Sequence, residues 1–196
     1  MAGLGNPDPE YERTRHNVGV RVTDELARRV DGRFKRSKHH ARVAEVRDGD
    51  TPVILAQPTT YMNESGRALA ALTRYYDVPL ERTIVVHDEL DLPFGAVRVK
   101  LGGGAAGHNG IADVARAITP DFVRVRVGIG RPPGRKDPVV FVLEPYAKRE
   151  EEELPAIVDA AADAVLSVIR DGVGAAQTRF NKRPGSGGDE GAAPVD

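Results

Sequence analysis

The chain has 196 residues, of which 40% are hydrophobic and 29% are charged, with a formal net charge of −1. These values are ordinary for one globular domain, or one domain with a tail, and the absence of cysteine excludes disulfides, thiolate zinc sites and a cysteine nucleophile. No apolar run approaches the roughly 20 residues of a membrane helix, and no signal peptide is evident, so we expect a cytoplasmic protein without a membrane partner.

A turn-rich polar stretch opens the chain at residues 3–15 and leads into the first predicted helix. Apolar side chains four residues apart predict that this helix covers residues 18–30 and ends at an Asp-Gly pair. The run that follows, residues 33–40, is strongly basic. Such a run indicates either a solvated face or an electrostatic footprint for nucleic acid.

Strands and helices then alternate along the rest of the chain, as judged from alternating polarity and from helical spacing. The expected strands cover residues 41–47, 52–56, 83–86, 96–101, 122–128 and 139–143. The expected helices cover residues 65–76, 111–118 and 147–170, with a final turn at 175–181. Pro155 lies near the first turns of the long helix, where it would delay or kink the helix.

This order of elements predicts an α/β protein with one sheet covered by helices on both faces. The first two predicted strands, 41–47 and 52–56, form a hairpin, which makes the sheet mixed. We expect a catalytic domain over residues 1–183 and a disordered tail over residues 184–196. Ligand sites on such sheets favour the loops beyond strand ends. We therefore expect one hydrolytic site from four polar clusters, at residues 3–19, 57–66, 85–95 and 102–110.

His16 is the candidate general base, because it lies in a polar loop before a helix and a neutral imidazole accepts protons near pH 7. Asp88 lies just past an apolar strand, where a buried carboxylate needs a partner. A carboxylate bound to one imidazole nitrogen fixes the tautomer and stabilises the imidazolium that forms. His87, Glu89 and Asp91 are neighbours, so the sequence alone leaves open which acid faces His16, or whether all are solvated.

The chain offers no evident protein nucleophile, since it has no cysteine and no GxSxG elbow. A base without a nucleophile favours attack by water. Metal-assisted hydrolysis is the competing interpretation, but the five histidines show no HExxH spacing. We therefore expect neither a metal nor a cofactor.

Carboxamides and glycines dominate the remaining polar positions. Each carboxamide can hold a polar substrate or donate to an oxyanion, although any one of them could equally be a turn residue. The glycines at 102–110 would let backbone amides approach an anion at the start of a helix, and Lys100 could contact a phosphate. The asparagines in the clusters are Asn6, Asn17, Asn63 and Asn109.

Several segments stand in the order and spacing of bacterial peptidyl-tRNA hydrolases, and the chain resembles that family from residue 3 to about residue 182. They are GLGNP at 3–7, TRHN at 14–17, QPTTYMNESG at 57–66, HDELDLPFG at 87–95, GGGAAGHNG at 102–110 and VGIGRP at 127–132. The resemblance implies a monomeric, single-domain α/β/α sandwich with a mixed twisted sheet. It also implies hydrolysis of the ester that joins a peptide to the 3′ end of tRNA, without a metal, which recycles tRNA.

The resemblance assigns roles to individual residues. It makes His16 the general base on water, Asp88 the carboxylate that stabilises its basic form, and Asn6 the residue that distinguishes blocked from free aminoacyl groups. The positions that match those holding peptidyl-tRNA are Tyr11, Tyr61, Asn63 and Asn109. Lys100 is implied as a contact to the 5′ phosphate of the tRNA, and we add Arg131 as a further candidate cation.

Two features depart from the family pattern. Only Met1 and Ala2 precede Gly3, where the family has an apolar strand. We therefore expect a truncated first strand, from either a misassigned start or a shortened variant. Asp8 stands where the family has a glycine, and aspartate is among the better non-glycine residues for positive φ. A related RNA-binding protein that has lost hydrolysis is the alternative function.

Overall fold

Seven strands form one mixed sheet in the computed structural model, which describes residues 1–182. They are β1 (Ala2–Gly3), β2 (Lys35–Ser37), β3 (Ala41–Asp48), β4 (Thr51–Pro58), β5 (Ile84–Glu89), β6 (Val97–Leu101) and β7 (Val123–Gly128). Their order across the sheet is β2-β3-β4-β1-β5-β7-β6. β1 pairs in parallel with β4 and β5, and β5 with β7, whereas the other three pairings are antiparallel. The predicted mixed sheet is confirmed.

Helices cover both faces of this sheet. They are α1 (Val18–Arg29), α2 (Ser65–Tyr75), α3 (Asn109–Ala117), α4 (Pro138–Val142) and α5 (Lys148–Phe180). On one face, α1 and α5 pack around buried Val22, Val86 and Val165. On the other, α2 and α3 pack around Leu69 and Ile111. The chain is therefore the α/β/α sandwich that was predicted.

The first strand is short, yet it lies in the middle of the sheet. Ala2 pairs with both β4 and β5. The pairing continues on either side, because the amide of Ala56 donates to Met1 O and the amide of Leu4 donates to Val86 O, each at 3.0 Å. The expected short first strand thus has two residues, and they are enough to join β4 to β5.

The chain crosses itself closely where β1 passes α1. A Cβ added to Gly3 would lie 2.0 Å from Gly19 O, and one added to Gly19 would lie 2.5 Å from Val86 O. Both neighbours are backbone atoms of the core, which have no room to yield, so this approach requires glycine. The crossing holds the loop after β1 against the start of α1, next to His16.

Most of the predicted strand at 139–143, namely residues 139–142, lies in the short helix α4 instead. The carboxylate of Asp137 caps this helix by accepting a hydrogen bond from the amide of Val139 at 2.8 Å. Pro138 takes the first helical position, where its fixed φ suits a helix. These start signals outweigh the β-branched residues of the run, so the strand prediction was wrong.

One further element was not predicted, because the basic run contains the edge strand β2. The long helix α5 contains Pro155, and it is interrupted at the non-helical Gly172, at φ 84° and ψ 168°. This interruption falls between the two helical segments that were predicted, residues 147–170 and 175–181. The tail predicted for residues 184–196, with its domain boundary, lies outside the described residues. Within residues 1–182, no helix combines the length and apolar character that crossing a membrane requires.

Candidate active site

The loops that follow β1, β4 and β5 meet the start of α3 around a cavity of about 320 Å³. They meet because the carboxyl ends of these three parallel strands lie at one edge of the sheet. All four polar clusters contribute to the wall. Its polar members include Asn6, His16, Tyr61, Asn63, Asp88, His108 and Asn109.

His16 and Asp88 form a buried hydrogen-bonded pair in this wall. Nδ1 of His16 lies 2.8 Å from Oδ1 of Asp88, and the two residues are 8% and 3% exposed. Burial acts to lower the pKa of His16, but the charge of Asp88 and its hydrogen bond outweigh burial, so the pKa is raised. Burial opposes ionisation of Asp88, but its electrostatic and hydrogen-bond contacts with the imidazoles of His16 and His108 hold its pKa well below the usual range. Asp88 is thus the anion of the pair, and Nε2 of His16 is left to take a proton.

A 3-10 turn over Arg15–Asn17, just before α1, positions His16. The turn is anchored by the buried side chain of Arg15. Its guanidinium donates to Pro145 O at 2.7 Å and to Oε2 of Glu150 at 2.6 Å. The segment between α4 and α5 and the first turn of α5 therefore hold the turn that carries His16.

The other acids near Asp88 have partners of their own. Nε of Arg126 donates to Oε2 of Glu89 at 2.9 Å. Asp91 pairs with Arg131 at the surface, so this candidate cation is engaged by a carboxylate. Of these acids, it is Asp88 whose carboxylate reaches His16.

A second imidazole, that of His108, contacts the same oxygen of Asp88. Its Nε2 lies 3.0 Å from Oδ1, and its Nδ1 accepts a hydrogen bond from the amide of Ile111 at 3.2 Å. Because Nδ1 is an acceptor, Nε2 carries the proton and donates it to the carboxylate. His108 was not predicted as a site residue, because the cluster that contains it was interpreted through its glycines and its asparagine. Its place immediately before a helix, where side chains cap the first amides, was the available signal.

Asn6 is held between two loops in a defined orientation. Asn17 brackets its backbone, because Oδ1 of Asn17 accepts from Asn6 N and Nδ2 of Asn17 donates to Asn6 O, both at 2.9 Å. The side-chain Oδ1 of Asn6 accepts from the amide of Met62 at 2.8 Å. A backbone amide can only donate, so this contact identifies the side-chain oxygen and leaves Nδ2 as a donor at the cavity.

Asn63, Asn109 and Tyr61 complete the polar wall. Asn63 lies in a 3-10 turn over Met62–Glu64, and Asn109 is the first residue of α3. The hydroxyl of Tyr61 donates to Oδ2 of Asp8 at 2.7 Å. The backbone of Asp8 has φ −77° and ψ 147°, so this position does not require the glycine of the family pattern.

Within the described chain, Tyr11 and Lys100, like Arg131, lie outside the lining of the cavity. Tyr11 ends a 3-10 turn over Pro9–Tyr11 in the loop after β1. Lys100 is exposed near the end of β6, and its ammonium occupies the space that a side chain on Gly103 would need. Contacts of these two residues with substrate beyond the cavity stay predictions.

The ligand atoms of His16, Asp88 and His108 lie within 4.8 Å of one another, a spacing that a metal ion could bridge. However, both imidazoles approach one carboxylate oxygen at 2.8 and 3.0 Å, which are hydrogen-bond distances. The tautomer of His108 also puts a proton on the nitrogen that would be the ligand. The contacts fit N–H donors better than metal ligands, and the expectation of no metal stays a prediction.

Comparisons with known proteins agree on one family. The family model described as peptidyl-tRNA hydrolase matches residues 1–187. Peptidyl-tRNA hydrolase of Kineococcus radiotolerans is 53% identical over 189 residues, covering 92% of this chain and 96% of the relative. That of Nocardia farcinica is 54% identical over 183 residues, covering 92% and 95%. The crystal structure of the Acinetobacter baumannii peptidyl-tRNA hydrolase matches with a TM-score of 0.86 at 34% identity, covering 92% of each chain. This chain therefore belongs to the peptidyl-tRNA hydrolase family.

Proposed function

We propose that the chain hydrolyses the ester between a peptide and the 3′ end of tRNA, using water activated by His16. The observation that carries the proposal is the buried pair of His16 and Asp88, 2.8 Å apart, in a cavity ringed by carboxamides. The carboxylate orients the imidazole, and the raised pKa of His16 makes it a stronger base. Membership of the family indicates the substrate, and the pair of His16 and Asp88 accounts for the activation of water.

The reaction starts with a water molecule between Nε2 of His16 and the ester carbonyl carbon. His16 takes a proton from the water while the water oxygen bonds to that carbon, and Asp88 stabilises the imidazolium. The carbonyl oxygen becomes the anion of a tetrahedral intermediate. The bond to the 3′ oxygen then breaks, and the imidazolium returns its proton to that oxygen. The products are a peptide with a free carboxyl group and a tRNA with a free 3′ hydroxyl.

The carboxamides bind the substrate around this centre. Nδ2 of Asn6 is a donor and can therefore hydrogen-bond to the acyl oxygen of a blocked amino group. A free ammonium group has only N–H donors, so it cannot accept a hydrogen bond from Nδ2. Asn63 and Asn109 supply further donors to the peptide or to the oxyanion. Tyr61 and Tyr11 contact the 3′ end of the tRNA, and Lys100 contacts its 5′ phosphate.

We also propose that the protein works as a monomer in the cytoplasm and without a metal. Every residue given a role here comes from one chain, so no partner subunit is needed to complete the site. Size-exclusion chromatography tests the oligomeric state, and assays with and without a chelator test the need for a metal. Loss of activity with chelator would show a metallohydrolase instead.

The deciding experiment is the release of N-acetyl-phenylalanine from N-acetyl-phenylalanyl-tRNA by the purified protein. We expect wild type to cleave this ester, His16→Ala to lose about 10²-fold or more in kcat, and the variant to keep its affinity for tRNA. The proposal is wrong if wild type binds tRNA but leaves the ester intact, which is the behaviour of an RNA-binding relative without hydrolysis.

A further inference from the structure

The segment between β6 and α3, residues 102–108, runs along the sheet without belonging to a strand or a helix. We call it the glycine segment. It leaves β6 opposite Val123, at the start of β7. It ends at His108, whose ring contacts Asp88, and Asp88 stands opposite Val127 near the end of β7. Four residues of a strand span roughly 13 Å, so the glycine segment covers about that distance along the sheet.

A segment of this kind has no neighbouring strand to bond its backbone carbonyls, which need donors from elsewhere. The side chain of Arg124 supplies them. Its Nη1 donates to Gly104 O at 2.6 Å, its Nη2 donates to Gly103 O, and Nη2 also lies 3.5 Å from Pro120 O. One guanidinium group thus ties the glycine segment to the loop after α3. The planar fork of donors suits several carbonyls at once, which a lysine ammonium on its single stem does not.

Arg124 is buried beneath the glycine segment, with 3% of its surface exposed. Val123 and Val125 on either side of it belong to the core beneath α1 and α5, so its own side chain points to the face covered by α2 and α3. Among residues 1–182, no carboxylate forms an ion pair with it. Its charge meets the backbone carbonyls and the ring of Phe122, whose centroid lies 4.8 Å from Cζ.

This position of a guanidinium group costs stability. A buried charge without a counter-charge is unfavourable, and an apolar side chain in its place is often neutral or stabilising. Lys100 also stands directly opposite Arg124 in the pair of β6 and β7, and like charges at opposed positions destabilise a strand pair. Stability of the sheet therefore does not account for the arginine. Its contacts with the glycine segment are what an apolar residue could not make.

The hold of Arg124 on Gly104 extends to His108 through a tight turn. The amide of His108 donates to Ala105 O at 2.9 Å. Ala106 within this turn has φ 48°, a conformation that is unfavourable for alanine. Backbone strain of this kind persists only where the surrounding structure holds it. The turn is held at one end by the contact of Arg124 with Gly104 and at the other by the contacts of His108.

We infer that Arg124 is a positioning residue of the reaction, which holds the glycine segment where the ring of His108 donates to Asp88. The inference deepens the proposed function and rests on it, because the contact serves the reaction only if Asp88 supports His16 as the base. Arg124 itself touches neither the cavity nor the reacting atoms and acts through the backbone of the glycine segment.

The test replaces this arginine by lysine, which keeps the charge but cannot span the carbonyl oxygens. Arg98→Lys is the matched control. Arg98 lies in β6 and donates to Phe180 O at 2.8 Å, at the end of α5, so the control makes the same change at the same kind of contact but away from the glycine segment. Arg124→Gln, which leaves no unpaired buried charge, is the second variant where Arg124→Lys impairs folding.

The direct readout is the ring proton that His108 donates to Asp88. Hydrogen bonds to a buried carboxylate are short and strong, so this proton should exchange slowly and give a signal far downfield in the proton NMR spectrum. The signal is identified by its absence from His108→Asn. Arg124→Lys or Arg124→Gln should lose it, and Arg98→Lys should keep it. An arginine that only stabilises the fold would leave the signal in place, and that result, or a wild type without the signal, overturns the inference.

The second readout is the acid limb of kcat/KM for N-acetyl-phenylalanyl-tRNA. With His108 displaced, Asp88 keeps more negative charge for His16, so the limb of Arg124→Lys should move to higher pH. Arg98→Lys should keep the wild-type limb. In the His108→Asn background, Arg124→Lys should add no further shift, because the contact is already lost. Equal shifts in both backgrounds would mean that Arg124 acts on another group, contrary to the inference.

Two further ionisable groups lie near Asp88, and neither confuses this readout. Burial holds the pKa of His87 well below its usual value and raises that of Tyr146 well above it, so both stay neutral across the limb. The two possible failures are separate. If wild type cleaves no ester, the proposed function fails, whereas the inference alone fails if wild type is active and Arg124→Lys matches Arg98→Lys in both readouts.

Discussion

The backbone amide of Met62 donates a hydrogen bond to Oδ1 of Asn6 at 2.8 Å. This contact with the loop after β4 holds Oδ1 of Asn6, so that Nδ2 of the carboxamide faces the cavity. The proposed recognition of a blocked amino group by Asn6 therefore depends on two segments 56 residues apart in the chain. A substitution at Asn6 that keeps the shape of the side chain but removes its donor can therefore test the contact with the loop separately from recognition of the substrate.

Asn6→Asp makes this separation. The aspartate still accepts from Met62, so we expect a melting temperature close to that of wild type. It offers no donor to the acyl group, so kcat/KM for N-acetyl-phenylalanyl-tRNA should fall by about 10²-fold. The preference for that substrate over phenylalanyl-tRNA, whose amino group is a cation, should shrink. Asn6→Ala is the comparison that also loses the loop contact and melts lower. An unchanged preference in Asn6→Asp would contradict this role.

Asp88 should control the acid limb of the pH profile. Asp88 raises the pKa of His16, so neutral His16 is lost, and kcat/KM falls, at a pH above the ordinary value of 6.5. Asp88→Asn removes the charge but leaves the burial, which lowers the pKa, so the limb should move to lower pH. The plateau should fall by about 10²- to 10⁴-fold. Asp91→Asn, which changes an acid paired with Arg131, should leave the limb in place. A limb at the same pH in Asp88→Asn would show that another group is titrating.

His108 is expected to act through Asp88, as a positioning residue. His108→Ala removes one of two donors to Oδ1, so the carboxylate keeps more negative charge for His16, and the acid limb should move to higher pH. The variant also loses the cap of α3, which costs about 1 kcal/mol of unfolding free energy. His108→Asn restores a capping side chain but is too short to reach Asp88. It should therefore recover stability without recovering the wild-type pH profile, and recovery of both would mean that His108 only caps the helix.

The sequence predicted most of the fold because its alternating and helical patterns reflect burial directly. The sequence also identified Asp88 as one of the acids that could pair with His16. Which acid does so depends on which carboxylates already have other partners. Glu89 meets Arg126 and Asp91 meets Arg131, and these contacts join residues 37 and 40 apart. His108 was missed because its two roles, as a cap and as a donor to Asp88, appear only when α3 meets β5. The helix α4 was not predicted, because its β-branched residues suggested a strand. The Asp-Pro pair at its start was a helix signal that the sequence did contain.

The crossing of β1 and α1 should tolerate no side chain at Gly19. A Cβ there would lie 2.5 Å from both Val86 O and Leu4 N. Gly19→Ala should therefore lower the unfolding free energy in urea by about 1–3 kcal/mol or more, and loosen the turn that carries His16. Gly174→Ala is the matched control, since Gly174 is also within a helix and a Cβ there meets no atom within 4 Å. That change should stabilise by about 0.5–1 kcal/mol, because alanine is the better helix former. Equal stabilities of the two variants would mean that the sheet and α1 can separate at little cost, contrary to the buried contacts around Val22 and Val86.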